Sequence, residues 1–189
     1  MLLFHHAQGL TDGCRAFADD LRAAGHVVHV PDLYEGRTFA ELADGVHHAD
    51  EVVGIDAILE RGGRAAEGLP EGLVYLGFSL GALPAQMLAQ TRPGAKGAVL
   101  LHGCLPTSEF GGAWPRGVPL QIQTAEADEW VELDVARELA ATIEGAELFL
   151  YPGDRHLFAD RSLAAYDEAA AALLQQRVLD FLARTDRPG

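Results

Sequence analysis

The 189-residue sequence is poor in basic side chains and in long apolar runs. It has 14 Lys and Arg against 28 Asp and Glu, for a formal net charge of −14. Because phosphate groups are neutralised by clustered Lys and Arg, this balance argues against nucleic acid or a membrane surface as the main partner. No apolar run reaches the roughly 18 residues of a membrane span, and residues 1–10 lack the features of a signal peptide.

Cysteine is equally scarce. Cys14 and Cys104 are the only two, too few for a disulfide framework, so we expect a cytoplasmic protein.

Adjacent histidines such as His5 and His6 point to opposite faces of a strand and cannot easily share one ion. We therefore expect no metal and no cofactor.

What is present is an alternation of short apolar runs with helical patterns. Hydrophobic residues make up 49% of the chain and charged residues 22%, which is typical of one globular domain spanning residues 1–189. Strands are predicted at residues 2–5, 26–30, 73–77, 97–101, 118–123 and 147–150. The alternation predicts an α/β fold with about six mostly parallel strands and helices on both faces. Residues 103–117 are too few to hold a cap domain.

Residues 77–81 read Gly-Phe-Ser-Leu-Gly, a G-x-S-x-G motif between an apolar strand and a helical pattern. In this context the serine is held on a sharp turn with its hydroxyl exposed, as a nucleophile requires. With 3 serines and 21 glycines in 189 residues, chance would give the motif about 0.04 times. Ser79 is therefore the candidate nucleophile.

A serine needs a base, and strand–turn–helix hydrolases order their residues as serine, acid, histidine. After Ser79 the sequence has only His102 and His156. We favour His156 as the base, because it follows the last predicted strand, and expect His102 to line the pocket. Asp128 is the preferred acid, since its loop can reach the histidine, and Glu126 is the alternative.

Several segments together resemble the dienelactone hydrolase family of the α/β-hydrolase superfamily. They are residues 5–10, 31–37 (Pro-Asp-Leu-Tyr-Glu-Gly-Arg), 77–81, the loop around Asp128, and 151–158. The resemblance implies a triad of Ser79, His156 and Asp128. It also implies an oxyanion hole formed by the backbone N–H groups of Leu80 and Ala7.

The chain departs from the type members of that family in two linked ways. Those members carry a cysteine nucleophile and a glutamate in the first-strand loop, where this chain has Ser79 and His6. The changes fit together, because a neutral serine triad needs no glutamate to activate a thiol. Type members also hold a substrate carboxylate with arginines, for which Arg37 and Arg161 are the candidates here.

These residues predict a serine hydrolase that cleaves a small carboxylic ester, lactone or thioester. The alternative is a non-catalytic α/β-hydrolase-like protein that serves as a binding or regulatory module, with His6 crowding or pairing within the site. Either a monomer or a homodimer is compatible with the sequence. The expected walls of the pocket are His6, Gln8, Tyr34, His102 and Trp114.

Overall fold

A computed structural model describes residues 1–185 of the chain. Its centre is one sheet of five parallel strands that lie side by side in chain order. The strands are β1 (Leu2–Phe4), β2 (Val74–Phe78), β3 (Gly97–Leu101), β4 (Leu120–Ala125) and β5 (Glu147–Tyr151). Parallel pairing confirms the α/β class expected from the alternation of apolar runs and helical patterns.

The sheet has five strands where the sequence predicted about six. Residues 26–30 contribute a single bridge, in which His29 lies opposite Leu2. The Leu3 N–H donates to the His29 carbonyl at 2.9 Å, and the His29 N–H donates to the Met1 carbonyl at 3.0 Å. Pro31 follows almost at once and has no N–H to continue such a ladder, so the segment runs beside β1 without becoming a strand.

Helices lie on both faces of the sheet, as the sequence predicted, and residues 1–185 contain six α-helices. They are α1 (Asp12–Ala23), α2 (Leu42–His47), α3 (Ile55–Ala66), α4 (Ala82–Thr91), α5 (Leu133–Thr142) and α6 (Glu168–Thr185). Helices α1 and α6 share one apolar core with alternate strand residues such as Leu3 and Leu76. Helices α3, α4 and α5 share the other core with Leu2 and Tyr75. In the described part of the chain, residues 1–185, no helix has both the length and the apolar character to cross a bilayer.

The connection between β3 and β4 lies flat on α4. Its helical content is one short 3₁₀ turn, Thr107–Phe110, so no cap is built there. The Gln86 amide of α4 bonds the Leu105 backbone twice, accepting from its N–H at 3.0 Å and donating to its carbonyl at 2.7 Å. Gln90 donates to the Thr107 carbonyl at 3.0 Å. These bonds hold the connection down and leave the carboxyl edge of the sheet uncovered by this segment.

Candidate active site

Ser79 lies on a strained turn between β2 and α4. Its backbone φ is 49°, which a non-glycine residue rarely adopts, and it opens a single 3₁₀ turn, Ser79–Gly81. A Cβ at Gly77 would lie 2.1 Å from the Gly81 carbonyl oxygen, and a Cβ at Gly81 would lie 2.5 Å from the Phe4 carbonyl oxygen. Because both approaches exclude a side chain, the two glycines of the motif are what allow the turn to form.

Three side chains from separate loops form a hydrogen-bonded chain. Ser79 Oγ lies 2.9 Å from His156 Nε2, and His156 Nδ1 lies 2.8 Å from Asp128 Oδ2. A carboxylate can only accept, so Nδ1 carries the proton and Nε2 is left to accept from the serine hydroxyl. This is the tautomer that a general base requires.

The Asp128 carboxylate is buried and held by further donors. The Trp130 N–H donates to Oδ1 at 3.0 Å, and the Thr124 hydroxyl lies 3.3 Å from Oδ2. Asp128 is 4% exposed and His156 9% exposed, while Ser79 is only partly buried. The serine end of the chain is therefore the end that a small molecule can reach.

His102 lies beside His156 as a neutral ring. Its ring centroid is 5.8 Å from that of His156 and 4.6 Å from that of Phe158. The side chain is 1% exposed, and within residues 1–185 neither ring nitrogen has a hydrogen-bond partner. Burial holds the pKa of His102 well below its ordinary value, and the nearby His156 adds to this effect. The structure thus places His102 behind His156 and out of contact with solvent.

The two N–H groups expected to form an oxyanion hole reach the same edge of the sheet. Phe4 lies opposite Gly77 across the β1–β2 pair, and Ala7 and Leu80 each follow by three residues. Leu80 lies in the 3₁₀ turn that leads into α4, where N–H groups at the start of a helix point outward. Ala7 is 2% exposed, and within the described residues its N–H has no acceptor.

The His6 side chain pairs with Asp160, and not with Ser79, His156 or Asp128. His6 Nε2 lies 2.8 Å from Asp160 Oδ2, and in the neutral form of the ring His6 Nδ1 accepts from the Gln8 N–H at 3.2 Å. The hydroxyls of Thr11 and Ser162 donate to the same carboxylate. The pair joins the end of β1 to the loop that carries His156.

Both members of the pair have shifted pKa values. Burial opposes the positive charge on His6, but the neighbouring Cys14 and Asp160 raise its pKa to about 9. Burial also opposes ionisation of Asp160, but hydrogen bonds from His6, Ser162 and Thr11 lower its pKa to about 2. Ligand atoms of His6, Cys14 and Asp160 all lie within 4.8 Å of one another, close enough for a metal ion. The hydrogen bonds just described already occupy the His6 and Asp160 atoms, and the Cys14 thiol donates to Asp160 Oδ2 at 3.8 Å.

Three of the expected pocket residues, Gln8, Tyr34 and Arg37, lie in or beside the loop that follows β1. The Gln8 amide donates to the Phe39 and Ala40 carbonyls at 3.2 and 2.8 Å, so it ties two loops together. Tyr34 is 1% exposed, and its hydroxyl donates to the Gly45 carbonyl at 3.2 Å. Arg37 is exposed to solvent. Of the three, Arg37 alone has an exposed side chain.

Trp114 and Arg161 make their contacts away from Ser79, His156 and Asp128. The Trp114 indole N–H donates to the Val118 carbonyl at 2.7 Å, and its ring lines a cavity of about 350 Å³ beside the end of α5. Arg161 forms an ion pair with Asp20 of α1. Neither is brought to the Ser79–His156–Asp128 chain.

One residue that lies beside His156, Trp130, was not identified from the sequence. The Trp130 ring lies 6.0 Å from the His156 ring at an angle of 35°, and its side chain is 55% exposed. The available signal was a large aromatic residue two positions after Asp128, within a loop otherwise rich in acidic residues.

A parallel sheet with helices on both faces and a serine on the turn after a strand defines the α/β-hydrolase class. The model of the dienelactone hydrolase family matches residues 1–185, and the chain belongs to this family of hydrolases. No curated protein matches the sequence.

Solved structures show the same fold at low identity. A proposed dienelactone hydrolase from Klebsiella pneumoniae subsp. pneumoniae MGH 78578 is 20% identical, with a TM-score of 0.74 and coverage of 97% of this chain and 85% of that one. The dienelactone hydrolase-like promiscuous phosphotriesterase P91, from metagenomic libraries, is 17% identical, with a TM-score of 0.71 and the same coverage. Esterase 2 of Thermogutta terrifontis is 18% identical, with a TM-score of 0.65, and covers 100% of this chain and 85% of that one.

Proposed function

We propose that the protein is a serine hydrolase that cleaves a small carboxylic ester, lactone or thioester. The observation that carries the proposal is the continuous hydrogen-bonded chain from Ser79 through His156 to Asp128. Ser79 Oγ attacks the acyl carbon while His156 Nε2 takes its proton and then returns it to the leaving group. Asp128 keeps the proton of His156 on Nδ1 and stabilises the imidazolium that forms.

Negative charge on the acyl oxygen is to be stabilised by the backbone N–H groups of Ala7 and Leu80. Such donors act strongly because they are already oriented before the reaction and need not reorganise. The unpaired Ala7 N–H supports this role, since a buried N–H without an acceptor is costly and rare.

The alternative, a non-catalytic binding or regulatory protein, rested on His6 crowding the site. His6 lies with Asp160, and its Nε2 is bonded there at 2.8 Å. Ser79 keeps its own bond to His156. The geometry therefore favours the enzyme.

A fluorophosphonate probe separates the two functions, because it phosphonylates only an activated serine. We expect one covalent adduct on the wild-type protein, detected by intact mass and mapped to Ser79. Ser79→Ala is expected to lose the adduct, and Ser108→Ala, which removes an exposed serine, is expected to keep it. An adduct that survives in Ser79→Ala, or no adduct on the folded wild type, would overturn the proposal.

A further inference from the structure

The His156 ring has two ring neighbours with opposite surroundings. His102, at 5.8 Å between centroids, is 1% exposed and closes one side of the ring with the buried core. Trp130, at 6.0 Å, is 55% exposed. The exposed ring beside His156 is therefore the Trp130 indole.

Trp130 is an unusual surface residue in this protein. Within residues 1–185 the exposed large apolar side chains are Val27, Val52, Trp130, Leu150 and Leu173, so Trp130 is the one aromatic among them. Its backbone is fixed, because its N–H donates to Asp128 Oδ1 at 3.0 Å and the next residue, Val131, is buried. An indole held in this way can bind a planar group while losing little conformational freedom.

We propose that Trp130 binds a planar aromatic leaving group, so that the favoured substrates are aryl esters; this rests on the proposed function. In the acylation step the bond from Ser79 Oγ to the acyl carbon forms and the bond from that carbon to the aryl oxygen breaks. The serine proton passes through His156 Nε2 to the aryl oxygen, which leaves as a phenol. Water then releases the acyl group from Ser79.

The position of the leaving group follows from the proton transfer. To receive the proton, the leaving oxygen must come within about 3 Å of His156 Nε2. An aromatic ring attached to that oxygen then lies beside the His156 ring, as the Trp130 ring does, and aromatic rings attract each other at centroid separations of about 4.5–7 Å. The indole is already at such a distance from the imidazole.

The charge of the surrounding loop narrows the substrate class. Glu126, Glu129 and Glu132 are exposed on either side of Trp130 in the sequence. With a net charge of −14 on the whole chain, an anionic ring is repelled, so the ring is neutral or cationic.

The test compares two acetate esters that give the same acetyl-enzyme, phenyl acetate and trifluoroethyl acetate. The quantity measured is kcat/KM in the wild type, in Trp130→Ala and in Trp130→Phe. Leu173→Ala, which truncates an exposed apolar side chain on α6, is the matched control. Each variant is compared with the wild type on one ester at a time, so differences in intrinsic reactivity cancel.

We expect Trp130→Ala to lower kcat/KM for phenyl acetate about three- to tenfold, the usual worth of an aromatic pair, and that for trifluoroethyl acetate less than twofold. Trp130→Phe should recover most of the loss, and Leu173→Ala should change neither ester. Equal losses on both esters in Trp130→Ala would overturn the aryl preference and leave the hydrolase intact. A wild type that cleaves neither ester and takes no fluorophosphonate would refute the proposed function, and the aryl preference with it.

Discussion

Two histidine–aspartate pairs with the same 2.8 Å separation lie in this protein, and they differ in what the rest of each imidazole meets. In the first, His156 bonds Asp128 through Nδ1 and presents Nε2 to Ser79. In the second, His6 bonds Asp160 through Nε2, and its Nδ1 faces the Gln8 backbone N–H, from which it accepts in the neutral form of the ring.

The carboxylates differ as well. Asp160 accepts from His6, Thr11 and Ser162, and a Cβ on Gly13 would lie 1.6 Å from its Oδ1, so helix α1 is packed directly against it. The His6–Asp160 pair has no atom left for chemistry. A histidine beside an aspartate is therefore poised for catalysis only when its second nitrogen faces an accessible, reactive partner.

The largest expected effect breaks the His156–Asp128 pair. In Asp128→Asn the amide favours the wrong tautomer of His156, so we expect kcat for phenyl acetate to fall by about 10⁴-fold with little change in thermal stability. The control is Glu126→Gln, which neutralises an exposed carboxylate on the same loop and should retain activity. The opposite pattern, with Glu126→Gln inactive and Asp128→Asn active, would make Glu126 the acid.

Breaking the His6–Asp160 pair should affect folding instead. Asp160→Ala removes one partner of a buried pair and leaves Thr11 and Ser162 without their acceptor. We expect the free energy of unfolding, measured by urea titration, to drop by about 3–5 kcal/mol. Asp154→Ala, at an exposed carboxylate in the same loop, should change it by less than about 0.5 kcal/mol. Equal stability of the two variants would contradict the structural role of the pair.

A smaller effect should appear in the pH dependence of stability. The pKa of His6 is raised from 6.5 to about 9 on folding, so its contribution is full below pH 6.5 and is lost as the pH rises through 9. The pKa of Asp160 is lowered from 3.8 to about 2, so its contribution is present above pH 3.8 and is lost as the pH falls through 2.

The measurement is urea unfolding of the wild type and His6→Gln at about pH 5.5 and pH 9.5. We expect the advantage of the wild type over His6→Gln to shrink by about 3 kcal/mol at the higher pH, because only the wild type loses a bound proton. An advantage that stays constant across this range would show that His6 is not charged in the folded protein.

The smallest expected effect concerns the length of the acyl chain, because the edge of the sheet that carries Ser79 and His156 is not covered by a cap. The β3–β4 connection lies flat on α4, so it offers no apolar cap to a long acyl chain. A buried CH₂ contributes about 0.8 kcal/mol, so without burial kcat/KM should stop rising within a few carbons of acetate. Assays of p-nitrophenyl acetate, butyrate, octanoate and palmitate measure this, and a steady rise through palmitate would contradict an open site.

The sequence predicts the fold and the Ser79 turn because both depend on local patterns: apolar runs of strand length and two glycines around a serine. It predicts less well the contacts that depend on how loops fold back. Tyr34 is an aromatic residue in a loop, and nothing local shows that its ring is buried while that of Trp130 is exposed. Arg161 lies near His156 in sequence but turns to Asp20, because its partner comes from a distant helix.

The order of the strands in the sheet, identical to their order in the chain, has a consequence for synthesis on the ribosome. Each new strand can add to the edge of a sheet already formed, without waiting for a later segment to insert between two neighbours. The strained turn at Ser79 can thus assemble from β1, β2 and α4 well before His156 has been translated. A nascent chain therefore carries its serine without a base, and we expect hydrolytic activity only after the last strand and its loop have left the exit tunnel.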